Sequence, residues 1–307
     1  MAGCDAAVED SEGGCVKKGC VLMGKTKVKV IIPTYNAGEK FKNVLFMLAK
    51  QKGLAKNDIM IIDSSSTDNT QDIVKSFGFQ LIVISKAEFG HGKTRNYATK
   101  LAGDVDFLVF MTQDALLYDE ESVANLIGYF EKDKSIAAVY GRQVPYEHTD
   151  IFGKHARLFN YPKQSSVKVL ADKKRYGLKT AFFSDTFAAY KKEIFDRLGM
   201  FQEVNFGEDT CMAAKMLLAG YKIGYCAEAQ VFHSHTFSII DDFRRCSEIG
   251  KFHKQEHWLL DEFGKAEGEG LRFVKSQVKY LLSNGKWYLL PELVVRNGMK
   301  YLGYRLG

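Results

Sequence analysis

An α/β fold with a mostly parallel, Rossmann-like sheet flanked by helices is predicted for this chain by three observations. Short β-branched runs recur along its first half, amphipathic helical patterns separate them, and each run stops at a cluster of polar residues. Strand and helix alternating in this way signal a sheet covered on both faces. Ligands of such sheets bind beyond the carboxyl ends of the strands. The chain has 307 residues, 46% hydrophobic and 26% charged, which suits a globular protein and excludes a disordered or fibrous one.

The first strand is read at Val28–Pro33, a short β-branched run of the kind that marks a buried parallel strand. Phe41, Val44, Leu45 and Leu48 follow at helical i, i+3, i+4, i+7 spacing. Asp58–Asp63 repeats the strand pattern, Asn69–Phe77 reads as a helix and Gln80–Ser85 as a third strand. Gly90-His91-Gly92 precedes a short helix over Lys93–Lys100. Phe107–Met111 is a fourth strand, Val123, Leu126, Ile127 and Phe130 stripe the next helix, and Ile136–Tyr140 is strand again. Residues 142–180 are polar and read as irregular. Phe187–Tyr190 resumes a strand, Glu208–Leu218 is a helix ended by Gly220, and Lys222–Tyr225 and Gln230–His233 read as two short strands. From Ser238 onward the pattern is helical, rich in aromatics and bases. The expected organisation is a disordered leader over 1–24, a catalytic domain over 25–235 and a helical C-terminal extension over 236–307. The catalytic domain divides into a nucleotide half (25–141) and an acceptor half (142–235).

Composition narrows the function classes. Lys+Arg 43 against Asp+Glu 37 gives a formal charge of +6, too small a surplus to point to nucleic acid but suited to anionic ligands or an anionic membrane. No apolar run reaches the ~18 residues of a membrane span, and the first residues lack the apolar core of a signal peptide. The six cysteines (Cys4, Cys15, Cys20, Cys211, Cys226, Cys246) include no Cys-x-x-Cys pair and read as reduced thiols of a cytoplasmic protein.

The chemistry-bearing residues stand at the strand ends. Asp63 and the serines after it fit turn and helix-capping chemistry, and equally a carboxylate and hydroxyls holding a base and ribose. In Gly90–Asn96, two glycines permit close backbone approach and Arg95 lies near a helix start, a combination that suits a diphosphate as well as a solvated turn. Asp114 follows an apolar strand, where an acid either caps a helix or binds Mg²⁺ or Mn²⁺. His233 and His235 are two residues apart, so strand alternation directs them to opposite faces and allows one of them to be a ligand. Glu208 and Asp209 open a helix after Gly207, where they complement the helix dipole or supply a general base.

Six phrases in this order resemble the family-2 glycosyltransferases of the GT-A fold. They are Ile31-Ile32-Pro33-Thr34-Tyr35-Asn36, Asp63-Ser64-Ser65-Ser66-Thr67-Asp68-Asn69-Thr70, Gly92-Lys93-Thr94-Arg95-Asn96, Thr112-Gln113-Asp114, Gly207-Glu208-Asp209 and Val231-Phe232-His233. Phe89-Gly90-His91-Gly92, Tyr140-Gly141-Arg142-Gln143 and His233-Ser234-His235 look most like bacterial dTDP-rhamnose-dependent rhamnosyltransferases, which build O-antigen, capsule or cell-wall polysaccharide. The resemblance implies that Pro33, Thr34, Asn36, Asp63, Ser65, Arg95, Gln113 and Asp114 bind the nucleotide-sugar, with Asp63 on the base and Arg95 at the diphosphate. It implies a divalent cation, Mg²⁺ or Mn²⁺, on Asp114 and His233, and Asp209 as the base, with Glu208 the neighbouring candidate. A single displacement with one base inverts the anomeric carbon.

Two departures stand out. The family's Asp-x-Asp metal motif reads Thr112-Gln113-Asp114, and the Gln-x-x-Arg-Trp motif of processive synthases is absent after His235, which implies transfer of one or a few residues. The alternatives are a UDP-hexose donor on the same fold, a nucleotidyltransferase, and a catalytically inactive nucleotide-sugar sensor. The expected partners are the donor and a lipid-linked saccharide acceptor. The aromatic-basic C-terminal segment, with Trp287, Tyr288, Lys275 and Lys279, fits either helix packing, including packing on a second subunit, or contact with the inner face of the plasma membrane.

Overall fold

The computed structural model describes residues 26–266 and 268–307; the leader expected over 1–24 lies outside them. Nine strands form one sheet: β1 Val28–Thr34, β2 Ile59–Asp63, β3 Gln80–Val83, β4 Phe107–Met111, β5 Leu116–Leu117, β6 Ile136–Val144, β7 Ser166–Lys168, β8 Phe187–Lys191 and β9 Lys222–Phe232. Their order is β3-β2-β1-β4-β8-β6-β9-β5, with β7 added on β9. The first four strands are mutually parallel, as the alternating sequence pattern requires. β8 enters antiparallel between β4 and β6, while β6 and β9 resume the direction of β4.

Side-chain alternation along β1 sorts the core into two layers. Val30 and Ile32 join the helices Phe41–Ala49, Thr70–Phe77 and Ser122–Gly128 on one face. Ile31 joins His91–Leu101 and Glu208–Leu218 on the other. Both faces are covered, so Val30, Ile31 and Ile32 in the middle of the strand are all apolar and buried.

Three sequence readings are corrected. The helix expected from Lys93 starts at His91. Residues 142–180 are not irregular throughout: β6 runs on to Val144, and Asp150 caps a helix over Ile151–Asn160 by accepting from the Gly153 amide at 2.6 Å. The two short strands read at 222–225 and 230–233 are one strand, β9. A bulge shifts its partner on β6 from Cys226 (opposite Gly141) to Gln230 (opposite Arg142), and the extra residues break the local periodicity.

The helices after Ser238 pack back on this body. Ile239–Gln255 and Leu290–Leu306 lie against each other, and Phe252 of the first packs beside Phe206. No helix among the described residues is long and apolar enough to cross a membrane.

Candidate active site

The carboxyl edge of the sheet collects the polar stations, and three topological features bring them together. The order places β1 between β2 and β4, a switch point at which the loops diverge and leave a crevice. Because β8 is antiparallel to β4, with Phe187 opposite Met111, the residues leading into it (Ser184 to Thr186) sit at that same edge. After Asp114 the chain turns back as β5, pairing Leu116 with Phe232, and so presses Asp114 against the end of β9.

Asp114, His233 and His235 consequently form one cluster whose ligand atoms lie within 4.8 Å of one another. His233 Nε2 is 3.3 Å and His235 Nε2 3.8 Å from Asp114 Oδ2. The expectation that the two histidines face opposite ways is corrected. Alternation holds only inside a strand, and β9 ends at Phe232, so the following residues curl and both rings turn to the carboxylate. Buried Gln143 fixes the nearer ring, its Oε1 accepting from His233 Nδ1 at 2.8 Å while its amide nitrogen donates to Tyr161 Oη and Ser184 Oγ. With Nδ1 engaged by Gln143, Nε2 is the ring atom that faces Asp114. Burial works against ionisation of Asp114, but hydrogen bonding and charge from His233 outweigh it and hold the carboxyl well below the usual range. Burial and the neighbouring His233 lower His235 to about 4, so it is neutral at pH 7. An ionised carboxylate and two imidazoles form a mixed O,N donor set that fits a first-row divalent cation, whereas Mg²⁺ favours oxygen ligands.

A second cluster lies beneath the helix Glu208–Leu218. Gly207 caps it with φ +78°, and a Cβ there would come within 2.6 Å of the Phe252 ring, so both backbone and space demand glycine. The turn presents Asp209 half-buried, its carboxylate accepting from the Thr210 amide at 2.7 Å and the Asp185 amide at 3.2 Å. Burial, reinforced by the adjacent Glu208 charge, pushes the Asp209 carboxyl up to about 6. Glu208 points the other way, into an ion pair with buried Arg95 (Nη1 to Oε1, 2.8 Å). Asp185 is wholly buried; burial, with Asp209 and Glu208 adding, raises its pKa far above normal despite Arg95, and Tyr190 Oη donates to it at 2.6 Å.

These contacts revise two expected roles. Arg95, expected at a diphosphate, is turned inward: the residue is 4% exposed, and its guanidinium holds Glu208 and the His91 carbonyl and lies 3.8 Å from Asp185. Glu208 is committed to the ion pair with Arg95, whereas the Asp209 carboxylate accepts from two backbone amides. The glycine loop is likewise tight for an internal reason. A Cβ on Gly92 would meet the Gln202 carbonyl at 2.8 Å, so the close approach is to protein, not ligand.

At the ends of β1 and β2 the residues brace one another. Asp63 is fully buried and accepts from Thr34 Oγ1 (3.1 Å), the Ser66 amide and hydroxyl (2.8 and 2.5 Å) and Gln71 Nε2 (2.8 Å). Those four donors fill a carboxylate's acceptor sites, so the direct hydrogen bond to a base expected of Asp63 is not available in this arrangement. Asn36 (φ +45°) accepts from the Thr67 amide, and Ser65 (φ +58°) donates to the Ile84 carbonyl. Gln113 bridges both backbone groups of Tyr35. Half-buried Pro33 continues β1 opposite Ile62. Tyr35 and Lys86 are exposed here, the Lys86 ammonium lying 4.7 Å over the Tyr35 ring.

Strand alternation admits one histidine of the His-x-His pair, because the rule is blind to where β9 stops, and the sequence does not single out Gln143, Asp185 or Tyr35 as site residues. Asp185 and Gln143 left no local signal, because partners 24 and 90 residues away define them.

Comparison with known proteins agrees with this architecture. Residues 29–199 match the model of Glycosyl transferase family 2. The O-antigen chain rhamnosyltransferase WbaN of Salmonella anatum is 43% identical over 279 residues, covering 91% of this chain and 88% of that protein. The O-antigen chain rhamnosyltransferase RfbN of Salmonella typhimurium is also 43% identical, over 92% and 89%. Among solved structures, the mannosyltransferase PcManGT from Pyrobaculum calidifontis, in complex with GDP-Man and Mn²⁺, superposes with a TM-score of 0.64 at 18% identity, covering 92% of this chain and 86% of that one. At that identity the likeness speaks to the fold.

Proposed function

The chain belongs to glycosyltransferase family 2 and has the GT-A fold, and from that premise we propose that it is an inverting rhamnosyltransferase of O-antigen assembly. It moves L-rhamnose from dTDP-L-rhamnose to a saccharide acceptor carried on a lipid. The observation that supports rhamnose as the transferred sugar and O-antigen as the product is the 43% identity to two O-antigen chain rhamnosyltransferases over nine-tenths of the chain.

In this reading the donor lies along the carboxyl edge of the sheet, its base beside Tyr35 and the Asp63-braced loop. Asp114, His233 and His235 hold a divalent cation, Mn²⁺ in preference to Mg²⁺ given the two imidazoles. When bound, that ion supplies positive charge against the diphosphate of the departing nucleotide. Asp209 accepts the proton of the acceptor hydroxyl as its oxygen bonds to the anomeric carbon, and the carbon–diphosphate bond breaks on the opposite face. Attack opposite the leaving group converts a β-linked donor to an α-rhamnoside. A carboxyl near 6 is a stronger base than ordinary aspartate yet remains ionised at pH 7. Arg95 and Glu208 set the helix start from below, and the Asp185 amide holds the carboxylate in place.

The test is a mass-spectrometric screen of nucleotide sugars with and without EDTA. Consumption of dTDP-L-rhamnose, abolished by EDTA and restored by Mn²⁺, is expected. Consumption of a UDP-hexose in its place overturns the donor assignment, and insensitivity to EDTA overturns the cation.

A further inference from the structure

The last helix buries a mixed face and leaves an apolar one outside. Leu293 packs with Leu281 and Phe152, while beside it Arg296 binds Asp242, Glu292 and the Phe237 carbonyl, and Lys300 reaches Asp242 at 3.3 Å. Its outer face is apolar. Val294 (69% exposed), Val295, Tyr301 (64%), Leu302 and Leu306 (72%) recur at helical spacing along one side, and Trp287 (67%) and Tyr288 stand exposed just before it. A contiguous exposed apolar stripe on a soluble protein marks a contact surface.

The neighbouring helix Glu269–Ser283, joined to the last by Asn297 donating to Gln277 at 3.0 Å, shows Leu271, Lys275, Lys279 and Leu282 on its outer side. Residues 268–307 hold seven Lys and Arg against two acids. Both acids are already paired, Glu269 with Lys179 and Arg272, and Glu292 with Arg296. Lys275, Lys279, Lys286 and Arg305 have no carboxylate partner among the described residues.

We propose that this face, formed by the outer sides of the two C-terminal helices and the Trp287–Tyr288 turn, docks on an anionic lipid surface. The charge decides between occupants. A twofold contact with a second copy would bring these unpaired cations against their own images with no acid on the face to offset them. An anionic leaflet supplies the counter-charge, and exposed Trp and Tyr beside aliphatic side chains suit the headgroup boundary.

The full chain is sedimented with phosphatidylethanolamine–phosphatidylglycerol vesicles and with phosphatidylcholine vesicles, without donor or acceptor. Each interfacial lysine is worth about fivefold in partitioning. The wild type should bind the anionic vesicles at least roughly tenfold more tightly, less so as salt rises. K275E with K279E should lower that binding by about twentyfold or more. V294D with Y301D, both outward-facing, should lose it while the melting temperature and donor turnover are retained. Equal binding to both vesicles, or variants that bind as the wild type does, overturns the proposal. So does a concentration-dependent wild-type dimer in sedimentation velocity that V294D turns monomeric, which assigns the face to a second copy. Because the assay contains no substrate, its failure leaves the transferase reading standing, and failure of the donor screen leaves this one.

Discussion

Replacing Asp209 by Asn tests the base directly, because the change removes a charge and almost no volume. Of the two amides that hold the carboxylate, Thr210 on Oδ1 and Asp185 on Oδ2, one keeps an acceptor in the asparagine carbonyl and the other loses it. General-base catalysis contributes about 10²–10⁴-fold, so turnover should fall by that factor, roughly 3–5 kcal/mol in barrier, with donor binding retained. Stability should move the other way. The Asp209 carboxyl is raised from 3.8 to about 6 by burial and Glu208, so its ionised form is disfavoured in the fold. For an acid with a raised pKa the cost is nil below the unfolded value, grows from about pH 4 to 6, and is fully present above. Two pKa units correspond to about 3 kcal/mol, which partial solvent access at this half-buried site reduces to roughly 1–3 kcal/mol. Asp209→Asn should therefore melt a few degrees higher than wild type at pH 7 and no higher at pH 4. In the wild type, turnover should fall tenfold per pH unit below about 6, and the residual activity of the variant should lack that limb. The assays are initial-rate kinetics across pH and thermal unfolding at the two pH values. Unchanged turnover, or an acid limb that persists in the variant, would refute the assignment of Asp209.

Three further outcomes follow from the geometry. Gln143→Leu removes the acceptor for His233 Nδ1, and Mn²⁺ affinity measured by calorimetry should weaken about 10–100-fold; His235→Ala should weaken it as well, whereas an unaltered affinity would exclude that imidazole as a ligand. Arg95→Met leaves Glu208 and Asp185 buried without their cation, and denaturant unfolding should show a loss of about 3–5 kcal/mol. Adding Glu208→Gln should recover part of it, since contacting residues are not additive. Gly207→Ala forces an alanine to φ +78° against Phe252, at a combined cost of about 2–5 kcal/mol. Phe252→Leu should relieve the steric share alone, and full rescue would show that backbone strain is absent.

Much of the site was legible because its residues announce themselves locally. Gly207-Glu208-Asp209 marks a helix start, and Thr112-Gln113-Asp114 closes an apolar strand. What was illegible was direction. Glu208 and Asp209 are adjacent and chemically alike, yet one turns to Arg95, 113 residues away, and the other to the crevice. His235 joins Asp114 and His233 through a curl that begins where β9 stops, and Asp63 is filled by donors that include Gln71, eight residues on.

The linear chain contains the alternation of strand and helix, the two-sided burial of β1, β2 and β4 and the concentration of polar residues at the strand ends. Periodicity and residue type act over a few positions, so a reader of one strand of text can see them. The antiparallel entry of β8, the β9 bulge, the union of Asp114 with both histidines, and the burial of Arg95 emerge only on folding. Each depends on which distant segments become neighbours, and that is settled by the summed packing of the whole sheet, not by any local run of residues.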